Sequence, residues 1–236
     1  MKHRWATILI VLLVLSGCAA TPSGMDNRTG PEETEILAVT ISLPEPRLES
    51  EVSVEEALAG RRSVRTYADA PLSLDEVAQL LWAAQGITGS GGRRTAPSAG
   101  ALYPLEVYLA VGEVEGLDAG LYRYLPDSHE LALLRREDVR EALAETALSQ
   151  DWMQEGAVTF IITAVYERST VKYGERGVRY TDMEAGHAAQ NLYLQAEALG
   201  LGTVTVGAFN DEQVRSILGI PEEETPLYLI PVGRKR

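Results

Sequence analysis

The stretch Val158–Val165 reads Val-Thr-Phe-Ile-Ile-Thr-Ala-Val, with no charge and almost every residue β-branched or aromatic. A run of that kind, without polar alternation, is predicted to be a strand buried on both faces. Such a strand obliges its sheet to be covered on two sides. The chain has the material: 236 residues, 45% of them hydrophobic, suit one domain with a full core. A cover is predicted from residues 181–199, a long Ala-rich helix. Its small residues Ala185, Gly186, Ala188, Ala189, Ala196 and Ala198 are well distributed around it and permit close packing on several sides. That marks a central helix and a candidate subunit interface.

Other elements follow from capping and periodicity. Ser53-Val54-Glu55-Glu56 and Ser73-Leu74-Asp75-Glu76 are capping-box starts. The second opens a helix with Val77, Leu80, Leu81 and Ala84 on one face, ending at Gln85-Gly86. Strands are expected at 106–111, 203–206 and 227–232, and a hairpin at 120–125 and 130–134 around Pro126-Asp127. Helices are expected at 138–148 and 211–218, and a loop at 87–100. Helices and strands mix without a regular βαβ repeat, so the expected class is α+β.

The N-terminus reads as an address. Lys2 and Arg4 precede an apolar run, 5–15, too short for a spanning helix of about 20 residues. It ends in Leu15-Ser16-Gly17-Cys18, which resembles the lipobox of prokaryotic lipoproteins, and Cys18 is the only cysteine. Residues 1–18 are therefore expected to be a lipoprotein signal with Cys18 lipidated, and 19–51 a flexible tether rich in Thr, Pro, Ser, Gly and Glu. The folded domain is expected at 52–236, lipid-anchored in the cell envelope outside the cytoplasm. The competing reading is an uncleaved anchor helix with an incidental cysteine.

Charge narrows the function. A net charge of −13 excludes a generally basic nucleic-acid binder. One cysteine and three histidines argue against a structural zinc site, and no metal site is expected. In so acidic a chain the clusters Arg61-Arg62 with Arg65, Arg93-Arg94 and Arg234-Lys235-Arg236 need a reason. On an extended segment Arg61, Ser63 and Arg65 point the same way. They form either a phosphate clamp or a solvated charge run. The stretch 96–104, Ala-Pro-Ser-Ala-Gly-Ala-Leu-Tyr-Pro, is either a plain loop or a small-residue wall against a flat ligand.

Taken in order, Arg61-Arg62-Ser63-Val64-Arg65, Pro97-Ser98-Ala99-Gly100-Ala101-Leu102-Tyr103-Pro104, Lys172-Tyr173-Gly174-Glu175-Arg176, Glu184-Ala185-Gly186-His187-Ala188-Ala189-Gln190-Asn191 and Ala198-Leu199-Gly200-Leu201-Gly202 resemble the nitroreductase family. More narrowly they resemble its SagB/ThcOx-type dehydrogenase branch, which includes azoline oxidases of peptide-toxin biosynthesis. The resemblance implies an α+β homodimer with a mixed or antiparallel central sheet, a long buried central helix and FMN at the subunit interface. It implies that Arg61, Arg62, Ser63 and Arg65 hold the FMN phosphate, ribityl chain and pyrimidine edge. Pro97, Ser98, Ala99 and Gly100 would come from the other subunit. Val206, Gly207 and Ala208 would face flavin N5, and Arg234, with Arg236 as a second candidate, would close over the phosphate. Asn191 would face the cofactor or the interface.

Lys172 and Tyr173 correspond to a pair proposed in azoline-oxidising relatives to remove the substrate proton. Read from the residues alone, they are equally two exposed side chains in a polar turn. His187 is expected to be a packed core or interface histidine, and His129 a surface one. The implied activity is hydride transfer through FMN on a small organic or peptide-derived substrate, with the electron donor open and NAD(P)H a candidate. The alternative is a lipid-anchored flavin-binding protein without turnover.

Overall fold

The computed structural model describes residues 39–148 and 150–236. In chain order these form β1 (Thr40–Ser42), α1 (Val54–Gly60), β2 (Tyr67–Ala68), β3 (Leu72–Ser73), α2 (Leu74–Gln85), β4 (Ile87–Gly89), β5 (Arg93–Arg94), β6 (Leu105–Val111), β7 (Val114–Glu115), β8 (Gly120–Leu125), β9 (Glu130–Arg135), α3 (Arg140–Thr146), β10 (Val158–Val165), α4 (Glu167–Tyr173), α5 (Arg176–Ala198), β11 (Leu201–Thr203), α6 (Asp211–Leu218) and β12 (Glu224–Lys235). Short 3₁₀ turns lie at Ala99–Ala101 and Asp151–Glu155. The main sheet runs β1-β9-β8-β6-β10-β12-β11, with β2 added to the end of β12, and every pairing in it is antiparallel. The class is α+β, as expected.

β10 lies at the centre, between β6 and β12, and is buried on both faces. Val158, Phe160, Ile162 and Ala164 pack with Val77, Leu80 and Leu81 of α2 and Ala185, Ala188, Ala189 and Leu192 of α5. Ile161 points the other way, toward Leu143 of α3 and Val214 and Leu218 of α6. The two-residue period of a strand thus divides one apolar run between two cores. The small residues of α5 do what their size allows: Ala185, Ala188, Ala189 and Ala196 are buried. Along another stripe the helix is open. Arg179, Met183 and His187 are exposed, and a Cβ built on Gly186 would meet nothing within 4 Å.

Both capping boxes form. Ser53 Oγ accepts from the Glu56 amide and Ser73 Oγ from the Glu76 amide, while each glutamate carboxylate accepts from its serine's amide. Five expectations need correcting. The strand expected at 203–206 lies at Leu201–Thr203, so only Thr203 of that span is in β11, and Val206 makes no more than a single bridge to Leu229. Residues 87–100 are not all loop: β4 and β5 form a small hairpin, because Gly91 and Gly92 adopt φ of +82° and +71°, which a tight turn requires. Residues 40–42, assigned to the tether, form β1 and pair with β9, so the folded body begins before residue 52. His129 is not a free surface residue; its ring joins the Tyr124 hydroxyl (2.8 Å) to the Pro44 carbonyl (2.9 Å). Lys172 and Tyr173 lie not in a turn but on the last turn of α4, which ends at Gly174. Cys18 and the 1–18 segment lie outside the described residues.

Candidate functional site

The segment after α1 is extended, as its alternation predicts, and runs parallel to β11: Ser63 pairs with Thr203, and the Val64 amide donates to the Thr203 carbonyl at 2.9 Å. Val64 packs toward Gly202. Arg61 lies over the Tyr193 ring, 5.1 Å from its centroid, and Arg65 over Trp152 at 5.7 Å. Neither has a carboxylate partner among the described residues. Ser63 Oγ is 3.2 Å from the Tyr193 hydroxyl, which also accepts from the Thr205 amide at 2.9 Å. Burial pushes the Tyr193 phenol up, but the hydrogen bonds of Ser63 and Thr205 and the Arg61 charge outweigh it and leave its pKa below the ordinary value.

Beyond Thr205 the chain turns outward. Val206 spends both backbone groups on Leu229. Gly207 and Ala208 are exposed, and their amides donate to nothing among the described residues. A Cβ on Gly207 would meet only Tyr228, at 3.8 Å. Arg61, Ser63, Arg65, Gly207 and Ala208 therefore gather cations and free donors on one side of α5.

Two expected members of this group are engaged elsewhere. Arg62 folds back onto the carbonyls of Ala59 and Arg61, ending α1. Arg234 is held by Glu76 in a bidentate pair at 2.6 and 2.9 Å, although its strand lies close: Ser63 reaches Val232, by way of Thr203, across two strand spacings, about 10 Å. Asn191 does not join Tyr193. It lines a groove of about 260 Å³ with Val54, Ala57, Trp82 and Thr95.

The second group surrounds the turn at residues 97–100. A Cβ built on Gly100 would lie 2.6 Å from the Tyr173 hydroxyl oxygen and 2.7 Å from Lys172 Nζ. α4 thus delivers both side chains onto the turn. The backbone there is left-handed at Gly100 (+65°), Ala101 (+53°) and Tyr103 (+46°). Only the first is glycine, so the other two store strain of about 1–2 kcal/mol each. Neighbours hold that shape. Ser98 Oγ accepts from the Tyr103 amide at 2.9 Å, Arg168 donates to the Tyr103 carbonyl at 3.2 Å, and Arg94 stacks on the Tyr103 ring at 4.7 Å. Beneath Ser98 sits Glu184 of α5, buried.

Glu184 and Tyr193 are nine residues apart on α5. That is about two and a half turns and about 13 Å along the axis, so the two groups lie on opposite sides of one helix. Sequence reading missed Tyr193, Trp152 and Glu184. Tyr193 and Glu184 carry a legible signal, a polar residue inside a buried helical stripe; Trp152 carries none.

The nitroreductase family model matches residues 58–234. Among relatives, a Methanocaldococcus jannaschii protein bearing a nitroreductase name is 48% identical over 196 residues, 83% of this chain and 98% of its own. Among solved structures, a Ralstonia eutropha protein with a nitroreductase title is 33% identical with a TM-score of 0.73, covering 84% of this chain and 90% of that one. The Escherichia coli microcin synthetase McbBCD, solved with a truncated precursor bound, is 26% identical with a TM-score of 0.65, covering 83% of this chain and 78% of that one. More distant relatives include an NADPH-flavin oxidoreductase of Vibrio harveyi, 28% identical over 102 residues, 40% of this chain and 42% of its own. The fold and site define a class of oxidoreductases. The chain belongs to the nitroreductase family.

Proposed function

We propose that this protein is an FMN-dependent oxidoreductase of the SagB-type branch, working as a homodimer. The observation that carries the reading is the convergence of Lys172 Nζ and Tyr173 Oη on the Gly100 turn. The residues present suit the cofactor. Among the described residues Arg61 and Arg65 have no carboxylate partner, Ser63 adds a hydroxyl, and the amides of Gly207 and Ala208 donate to nothing, which leaves them available to a ring edge. Flavin, when bound, supplies hydride acceptance and donation at N5. The chain supplies the rest. Arg61 and Ser63 fix the anionic end, and Arg65 offers charge to the pyrimidine edge. Pro97, Ser98 and Ala99 form a small-residue wall. Lys172 or Tyr173 holds the proton that a small organic or peptide-derived substrate gives up at carbon. Arg234 would join the phosphate only by leaving Glu76.

The opposed groups on α5 support the homodimer reading. Two copies related by a twofold axis bring the cationic group of one protomer to the Gly100 turn of the other, twice. The open stripe of Met183, Gly186 and His187 supports contact there.

The test is a spectrum of the purified protein with added FMN, then a donor series that includes NAD(P)H. Flavin absorbance that bleaches with a donor and returns with an acceptor is expected. Bound flavin that never cycles would favour a binding protein, and no bound flavin would overturn the reading. Lys172→Ala is expected to keep FMN affinity and slow substrate oxidation at least tenfold; equal loss of both would remove the proton-transfer role.

Anchoring at Cys18 is proposed on the lipobox resemblance alone. Cys18→Ser is expected to move the protein from the membrane fraction to the soluble one; an unchanged distribution would reject a lipid anchor.

A further inference from the structure

α4 carries Lys172 and Tyr173 but has little of its own to hold it against the 97–104 turn. Of its residues only Ser169 is buried, and Val171 is 80% exposed. Among the described residues one α4 side chain hydrogen-bonds the turn: Arg168, whose Nη1 donates to the Tyr103 carbonyl at 3.2 Å. Tyr103 is a non-glycine residue at a φ of +46°, so this carbonyl belongs to strained backbone. The other arm of the same guanidinium, Nη2, lies 2.6 Å from Glu106 Oε1 on β6. β6 is bonded to β8 and β10 on its two sides, so Glu106 gives the guanidinium a rigid anchor. Arg168 and Lys172 are four residues apart on α4, hence neighbours on one face.

Glu106 is buried and has a second partner: Arg123 of β8 meets its Oε2 at 3.0 Å. A buried carboxylate is costly when unpaired, and Arg123 alone meets that need. Arg123 makes no hydrogen bond to the turn or to α4 among the described residues. Two arginines thus share one carboxylate, and only one of them also reaches the turn.

We propose that Arg168 is a positioning residue: anchored on Glu106, it ties α4 to the Tyr103 end of the turn and so sets where Lys172 and Tyr173 meet Gly100. This rests on the reading of the turn and of the Lys172–Tyr173 pair as parts of the flavin site. The tie needs a planar fork with two donors in fixed directions. A lysine ammonium there can pair with Glu106 but cannot hold both contacts in that geometry.

The experiment measures thermal midpoint and amide hydrogen exchange over residues 97–104 in the full chain without FMN, for wild type, Arg168→Met, Arg168→Lys and Arg123→Met. Arg168→Met is expected to fold, since Arg123 still partners Glu106, and to speed exchange at the turn at least about tenfold, the loss of one charge-assisted hydrogen bond. Arg168→Lys should recover the midpoint and leave the turn exchanging fast. Arg123→Met strips the same carboxylate of its other partner; it should lower the midpoint and leave the turn at the wild-type rate. Wild-type exchange in Arg168→Met would overturn the proposal. So would slow exchange in Arg168→Lys, because an ion pair alone would then suffice, or equally fast exchange in Arg123→Met, because pairing of Glu106 would then be the whole effect. Added FMN is expected to slow exchange at the turn in wild type. FMN that fails to bind, or binds without slowing it, would remove the turn from the flavin site, and the order of exchange among the four proteins would still decide whether Arg168 positions it.

Discussion

Tyr193 ties the cationic group together. Its hydroxyl meets Ser63 and the Thr205 amide, and its ring carries Arg61. Tyr193→Phe keeps the ring and removes the oxygen, leaving the Thr205 amide without its acceptor. The expected cost is about 1–2 kcal/mol in urea unfolding, with weaker FMN binding; unchanged stability would mean that water replaces the hydroxyl freely. Arg61→Ala with Arg65→Ala is expected to weaken FMN binding at least about tenfold, since hydrogen bonds to charged groups contribute about 1.5–3 kcal/mol each. Unchanged affinity would show that the cations serve another ligand. At this scale the sequence was informative about residue type and less so about engagement. The alternation of Arg61, Ser63 and Arg65 on an extended segment was readable. That Glu76 claims Arg234, and that Arg62 folds back onto α1, was not, because both depend on partners that only the tertiary fold supplies.

Elements with a strong local signal form where expected. β10 matches its predicted span, and both capping boxes close on their serines. Phe160 lies fully buried at the centre of β10, so Phe160→Ala is expected to cost about 3–5 kcal/mol in denaturant unfolding. A loss below 1 kcal/mol would mean that the two cores are not divided as described. α4 escaped prediction because its sequence, Glu-Arg-Ser-Thr-Val-Lys-Tyr, has no apolar period, and only Ser169 is buried. The helix is fixed by packing on α5. β1 was missed for a similar reason: a three-residue edge strand has too few residues to show alternation, and its position is set by β9.

At the scale of the whole molecule, α5 separates two incomplete groups, and the account requires that two copies complete each other. The most direct measurement mixes two variants that are each expected to bind FMN at least about tenfold more weakly than wild type, at an FMN concentration where neither alone is appreciably loaded. Arg61→Ala with Arg65→Ala damages the cationic group. Gly100→Val damages the turn, because its side chain meets Tyr173 and Lys172 and its φ is positive. Both are first shown to be folded by circular dichroism, then mixed, exchanged through mild denaturant and titrated with FMN. In a twofold dimer each mixed molecule has one intact site and one doubly damaged, so binding should return to about a quarter of the wild-type site count. A mixture that binds no more flavin than the two separate variants would contradict a site shared between protomers.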